Sequence, residues 1–276
     1  MNTIATITWL TFQEARRRKM VVAALVLGGL FLLLFSIGFW LIDRSVREHI
    51  TSPIQLQVNY NLLLMAGFYV THFLTIMLAI FASVDTISGE IASHTVQAIV
   101  TKPVRRWQIV LGKWLGYAAM ITLYLGLLGG GLLLVVYLLV GYLPPYPLGG
   151  LLLLMLESLV LLSLSLLGGT YLSTLTNGVV LFMLYGLAFI GAWVEQIGSL
   201  LQSHAAVNVG IATSLLMPVE ALWRRAAYLM QPQVLSLIPS PFSGTSPPSQ
   251  AMVIYAAIYV VLGLALAMRG FSRRDL

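Results

Sequence analysis

The chain has 276 residues, 59% of them hydrophobic and 9% charged, with a mean hydropathy of +0.93; this excludes a soluble globular domain and describes an integral membrane protein. The net charge of +6 lies in short clusters beside apolar runs, the pattern of topology-setting residues, which argues against nucleic acid as a partner. No cysteine occurs, so disulfides, thiolate metal sites and cysteine nucleophiles are excluded.

In chain order, Ile4, Ile7, Thr11 and Ala15 recur at helical spacing before the basic run Arg16, Arg17, Arg18, Lys19. This predicts an interfacial amphipathic helix over 1–19. The next run ends in Phe39, Trp40, Leu41 rather than in a small-residue cleavage site, so it reads as a permanent first span and not a signal peptide. A crossing needs about 20 predominantly apolar residues. Six stretches qualify, at about 20–42, 61–84, 108–140, 148–175, 178–194 and 251–268. The fold expected is therefore an all-α membrane protein with six transmembrane helices. The third stretch is too long for one straight crossing, and its first turns are expected in the cytoplasm or the interface.

An excess of Lys and Arg marks the cytoplasmic side of a span. With the amino terminus inside, Arg16, Arg17, Arg18, Lys19, Lys102, Arg105, Arg106, Lys113, Arg269, Arg273 and Arg274 are cytoplasmic, eleven of the fifteen basic residues. Arg44, Arg47, Arg224 and Arg225 fall outside. Both termini and the 85–107 segment are thus expected in the cytoplasm, with the chain in the inner, cytoplasmic membrane.

Residues 195–250 form an extracytoplasmic segment on this topology. Pro218 can open a helix there, Glu220 and Arg224 sit one turn apart, and Trp223 and Tyr228 favour the headgroup level. Beyond Gln231 the composition turns to Pro, Ser and Gly, a surface connection. A secondary reading has Val207 to Met217 re-entering the membrane.

Single residues also stand out. Glu157 lies within the fourth apolar run, where a carboxylate costs about 3 kcal/mol, an amount that flanking leucines offset at about 0.5 kcal/mol each. It must face the bundle interior, as part of a translocation path or proton relay, or bonded to a serine on a neighbouring helix. His72, between Thr71 and Thr75 in the second span, is a weaker candidate for that path, because a lone helical histidine is more often a hydrogen-bonded packing residue. Glu195 is a candidate external gate. Arg224 and Arg225 read as solvated, with Glu220 as partner, or as contacts to an extracytoplasmic partner. An intramembrane enzyme on Glu157 and His72 is a distant alternative that lacks a partner group at any recognisable spacing. No H-E-x-x-H occurs, and the Gly runs at 129–131, 149–150 and 168–169 read as packing positions, so no metal is expected.

The stretch from Asp85 to Lys113 is the longest polar interruption between two apolar runs. Glu90, Ser93, His94 and Gln97 form one polar stripe at helical spacing, with Ile87, Ile91, Thr95 and Ile99 opposite. Pro103 stops the helix and forces a turn before the third span. By itself this reads equally as a solvated loop whose basic residues set topology.

The order Asp85, Ile87, Ser88, Glu90, Thr95, then Lys102, Pro103, Val104, Arg106, Trp107, Ile109, Gly112, Lys113 resembles the ABC-2 family of ATP-binding-cassette transporter permeases. The closing Phe271, Ser272, Arg273, Arg274, Asp275 is similar to the family's carboxyl end, while Ala92 and His94 stand where members often carry an acidic residue and a glycine. The resemblance implies an exporter permease whose cytoplasmic helix seats in an ATPase, with Asp85, Ser88, Glu90, Ser93, His94, Gln97, Lys102, Arg105 and Arg106 as coupling residues. ATP and Mg would bind a separate ABC ATPase subunit, because no G-x-x-x-x-G-K-[ST] occurs in these residues: Gly112-Lys113 is followed by Trp114. A second permease chain, as homodimer or heterodimer, completes the implied assembly. The alternative within the family is a mechanotransmitter acting on an extracytoplasmic or membrane partner.

Overall fold

The computed structural model describes residues 3–50, 52–89, 105–232 and 248–273. Among these the chain forms helices and no strands: α1 (Thr3–Arg17), α2 (Lys19–His49), α3 (Pro53–Ser83), α4 (Arg106–Val140), α5 (Pro147–Tyr171), α6 (Thr174–Leu200), α7 (His204–Leu216), α8 (Val219–Leu229) and α9 (Gln250–Ser272). Six of them, α2 to α6 and α9, are long and apolar enough to cross a membrane. They alternate in direction, so one end of the bundle carries Arg18, Val84, Arg106 and Tyr171, and the other carries Ile50, Pro53, Val140 and Leu200. These are called the Arg18 end and the Ile50 end below.

Local chemistry explains the breaks. Arg18 takes an extended backbone (ψ 133°) and separates α1 from α2. Proline supplies the fixed φ of a first helical turn at Pro53 and again at Pro147. α4 stops where Gly141 adopts φ +69°, the left-handed closure that glycine takes without a Cβ clash. Ser173 starts α6 by accepting a hydrogen bond from the Thr176 amide.

Lipid tails are as apolar as leucine, so the helices are held by close packing and polar ties rather than by escape from water. α3 and α5 form the centre: 61% of the spanning window is buried in each, against 11% for α2 and 22% for α9, which leave most of their apolar surface outside the bundle. α1 runs alongside the first turns of α4. A Cβ on Gly112 would stand 2.7 Å from Ile7, and one on Gly116 2.8 Å from Thr11, so both glycines are needed for this approach. Trp114 of α4 donates its indole N–H to Ser163 of α5 at 2.9 Å.

Residues 204–230 are built into the bundle. α7 folds back along α6, with Gly191 against Thr213, Gly198 against Ala206 and Gly210 against Glu195. The chain then bends by 103° into α8. Val219, Glu220, Ala221, Leu222, Trp223, Ala226 and Ala227 of α8 are all buried. Near the vertex, Tyr255 and Tyr259 of α9 donate to the carbonyls of Leu215 and Leu216. The far end of α8 returns to the Ile50 end, where Asn61 donates to Met230 O and to Tyr142 Oη, both at 2.9 Å. α7 and α8 together make a re-entrant V whose vertex lies inside the bundle.

Candidate functional site

Two polar constructions stand out. The first surrounds the chain as it leaves α3, over residues 84–89. Arg18, at the α1–α2 elbow, hydrogen-bonds Asp85 and also holds Glu14 at 2.8 Å, with its guanidinium 5.9 Å over the Tyr117 ring of α4. Burial opposes the Arg18 charge, but Tyr117, Glu14 and Asp85 outweigh it and raise its pKa further. Lys113 of α4, itself buried, donates to Thr86 O at 3.2 Å. Ser88 donates to Val84 O at 3.0 Å, and its hydroxyl lies 2.8 Å from that of Thr174 on α6. Asn177 of α6 donates to Val84 O and to Ser165 O of α5. The α3 exit is therefore tied to α4, α5, α6 and the α1–α2 elbow at once. A displacement of the following segment must move these elements together or break charged and buried hydrogen bonds.

Of the coupling residues expected from the sequence, Asp85 and Ser88 are in this clamp, turned toward the protein's own helices. Arg105 caps α4, its amide donating to Gln108 Oε1 at 3.3 Å, and Arg106 is the first residue of that helix. Glu90, Ser93, His94, Gln97 and Lys102 lie outside the described residues, as does Pro103. Sequence reasoning missed the clamp's other half, Arg18, Tyr117, Lys113, Thr174 and Asn177. Arg18 read there as a topology marker, and Lys113 as a topology marker and as part of the family resemblance, neither with a contact to the α3 exit.

The second construction is deep in the bundle. His72 of α3 and Glu157 of α5 are 1% and 0% exposed, with Nδ1 2.6 Å from a Glu157 oxygen. On the other side of the ring, Nε2 faces Glu220 of α8 at 3.5 Å. Trp223 covers the imidazole with ring centres 4.9 Å apart, and Tyr69 and Tyr185 stand at 6.0 and 6.5 Å. The second Glu157 oxygen has no hydrogen-bond partner among the described residues.

The two residues proposed for a translocation path are thus brought together, and the partner of Glu157 is His72 rather than the serine offered as one alternative. Glu220, expected on the surface beside Arg224, points inward instead. Arg224 pairs with Glu195 at 2.8 Å, both side chains less than a fifth exposed. The candidate gate residue Glu195 therefore fastens α6 to α8. The physical reason is depth: Val219 to Trp223 are buried in succession, so the start of α8 is enclosed on all sides and Glu220 meets His72, while Arg224, one turn on, is met by Glu195 of α6. Among the described residues no group of His, Asp and Glu has a metal-binding arrangement.

A comparison with family models matches residues 5–276 to the family described as ABC-2 family transporter protein. Among curated proteins, none matches the chain.

Proposed function

This chain belongs to the ABC-2 family of transporter proteins, and from that premise we propose that it is the permease half of an ATP-driven exporter in the cytoplasmic membrane, with both termini in the cytoplasm. ATP and Mg are bound by separate ATPase subunits, and a second permease chain completes the path. The observation that carries this reading is the clamp at residues 84–89. The segment that follows is the one expected to seat in the ATPase, and its root is fixed to four other parts of the bundle. Closure of the ATPases on ATP pushes that segment; Arg18 carries the push to α1 and α2, Lys113 to α4, and Thr174 with Asn177 to α5 and α6. The central pair α3 and α5 then shifts against the lipid-facing helices and switches the exposure of the path.

Purification from native membrane tests the partner: recovery without any P-loop ATPase would sink the proposal. The clamp has its own test. Arg18→Asp and Asp85→Arg each place like charges together, and each is expected to lower substrate-coupled or permease-stimulated ATP hydrolysis on the order of tenfold, the worth of one charge-assisted hydrogen bond. The double exchange restores the pair and is expected to recover most of the activity. Equal loss in the double variant would overturn the clamp's role.

A second reading is favoured by the re-entrant V. α8 reaches from the bundle's interior to the Ile50 end, so the same stroke is delivered to the segment beyond Gln231 and could act on an extracytoplasmic partner without a solute. Stable co-purification of such a partner, with no transport in vesicles, would select it. The His72–Glu157 pair does not suit an intramembrane enzyme, because both side chains are essentially unexposed and leave a substrate no surface to reach.

A further inference from the structure

We propose that the cleft between the ends of α5 and α9 binds an anionic phospholipid from the leaflet at the Arg18 end, its phosphate held by Arg269 and Arg273 and an acyl chain laid along Leu266 and Leu262. The site goes beyond the permease reading and does not rest on it.

Three observations carry it. First, a cavity exists with a mixed lining. Thr170, Tyr171, Leu266, Arg269, Gly270 and Arg273 surround about 570 Å³, a volume in the range of small-molecule sites. Its walls meet because Gly270 has no side chain: a Cβ there would stand 2.6 Å from the Tyr171 hydroxyl and 3.1 Å from that of Thr170. Thr170 donates to Leu167 O, whereas the Tyr171 hydroxyl meets no acceptor among the described residues. Second, α9 presents one stripe that is apolar and then basic. Ala256, Val260, Gly263, Ala267 and Phe271 are its buried residues. Leu262, Leu266, Arg269 and Arg273 follow one another at helical spacing on another side, with the two leucines 57% and 51% exposed. Third, the arginines lack a counter-charge. The described acids at the Arg18 end are Glu14 and Asp85, and Arg18 holds both. Among the described residues no carboxylate pairs with Arg269 or Arg273.

The dimensions and the chemistry match a lipid. The stripe from Leu262 to Arg273 rises about 16 Å along the helix, close to the roughly 15 Å that one leaflet contributes to the hydrocarbon core. Arg269 is the first charge after the apolar run of α9, so it lies where tails give way to headgroups, and Arg273 stands one turn farther out. A guanidinium offers paired N–H donors that fit phosphate oxygens, and the Tyr171 O–H supplies a further donor from the α5 wall. Basic clefts between spans are places where acidic headgroups dock. A choline headgroup would bring its own cation to a site already carrying two, which favours a lipid of net negative charge. The topology rule accounts for arginines on this side of the membrane. It does not account for their alignment with two exposed leucines beside a cleft closed by a tyrosine.

Photolabelling tests the site in place. The full chain, with the subunits it co-purifies with, is reconstituted in nanodiscs containing phosphatidylglycerol or phosphatidylcholine with the same diazirine-bearing acyl chain. After illumination, labelled peptides are quantified by mass spectrometry. The phosphatidylglycerol probe is expected to label 262–266 on the order of tenfold more than the phosphatidylcholine probe, the advantage of two basic side chains at a membrane surface. Leu33 and Leu34 of α2, exposed to 64% and 61%, are expected to react alike with both. Arg269→Gln with Arg273→Gln is expected to abolish the preference at 262–266. Arg16→Gln with Arg17→Gln, which removes the same charge from exposed positions at the same end, is expected to keep it. Excess inorganic phosphate at matched ionic strength is expected to leave the labelling unchanged. Equal labelling by the two probes overturns the site, as does a preference that survives in the Arg269 and Arg273 variant or is lost in the Arg16 and Arg17 variant. Displacement by inorganic phosphate would assign the arginines to a soluble phosphate group and overturn the lipid. None of these outcomes involves ATP hydrolysis, so failure here leaves the permease reading standing.

Discussion

At the residue scale the decisive feature is an ionisable pair placed where charge is most expensive. His72 and Glu157 are both essentially unexposed, so removing either one strands the other in a dry site. Glu157→Ala or His72→Leu alone is expected to cost about 3–5 kcal/mol of stability, whereas His72→Leu with Glu157→Leu recovers most of that loss, because replacing a buried pair by apolar groups is often neutral. Equilibrium unfolding in detergent reads both quantities, and single variants within about 0.5 kcal/mol of the parent would refute the pairing. An ionisable group inside an apolar run is conspicuous, so both residues were legible in the sequence. Their meeting was not: they are 85 positions apart, and periodicity orients residues within one helix without choosing which helices face each other. Glu220 was hidden for a different reason. Arg224 lies one turn ahead of it and offered a local partner on paper, whereas the fold gives Arg224 to Glu195 and turns Glu220 to the histidine.

At the element scale the re-entrant V depends on backbones that nearly touch. A Cβ on Gly210 would stand 2.3 Å from Glu195 Cβ and 2.8 Å from the Gly191 carbonyl oxygen, and a backbone atom has no rotamer by which to retreat. Gly210→Ala is therefore expected to push α7 away from α6 and to expose the V to added protease. Gly29→Ala and Gly126→Ala, where the added carbon meets nothing within 4 Å, are expected to be neutral or to gain up to about 1 kcal/mol from helix propensity. Limited proteolysis of the three variants, with thermal unfolding, ranks them; equal behaviour of Gly210→Ala and Gly126→Ala would contradict the close hairpin. The V is also the element that the sequence conveyed least well. α7 has 13 residues, about 20 Å of helix against a hydrocarbon core of about 30 Å, so hydropathy alone sees a run too short to cross. That shortness is what permits a turn at mid-depth. The long spans carry no such ambiguity, since each exceeds a full crossing, although α3 starts at Pro53, among polar residues that an apolar scan discards.

At the scale of the whole molecule, burial sorts the spans in a way that composition only half announces. α2 has the highest hydropathy of the six, 2.7, and the least burial, because a helix bathed in lipid must be apolar all round. α3, with 2.0 over its best window, places Asn61, Thr71, His72, Thr75 and Ser83 inside; Asn61 and His72 find partners beyond α3, while Thr75 and Ser83 donate to carbonyls of their own helix. The molecule also has two structurally distinct ends: the clamp of Arg18, Asp85 and Lys113 at one, and the mouth of the V at the other. If the clamp answers an ATPase, its end must face the compartment that holds ATP, as the eleven-to-four division of basic residues requires. In the cysteine-free chain, Leu201→Cys, 74% exposed between α6 and α7, is expected to react with a membrane-impermeant maleimide on intact cells. Ser272→Cys, exposed at the end of α9, is expected to react only after permeabilisation. The reverse pattern would put the clamp outside, leave no ATPase to push on it, and remove the permease reading together with the charge count it rests on.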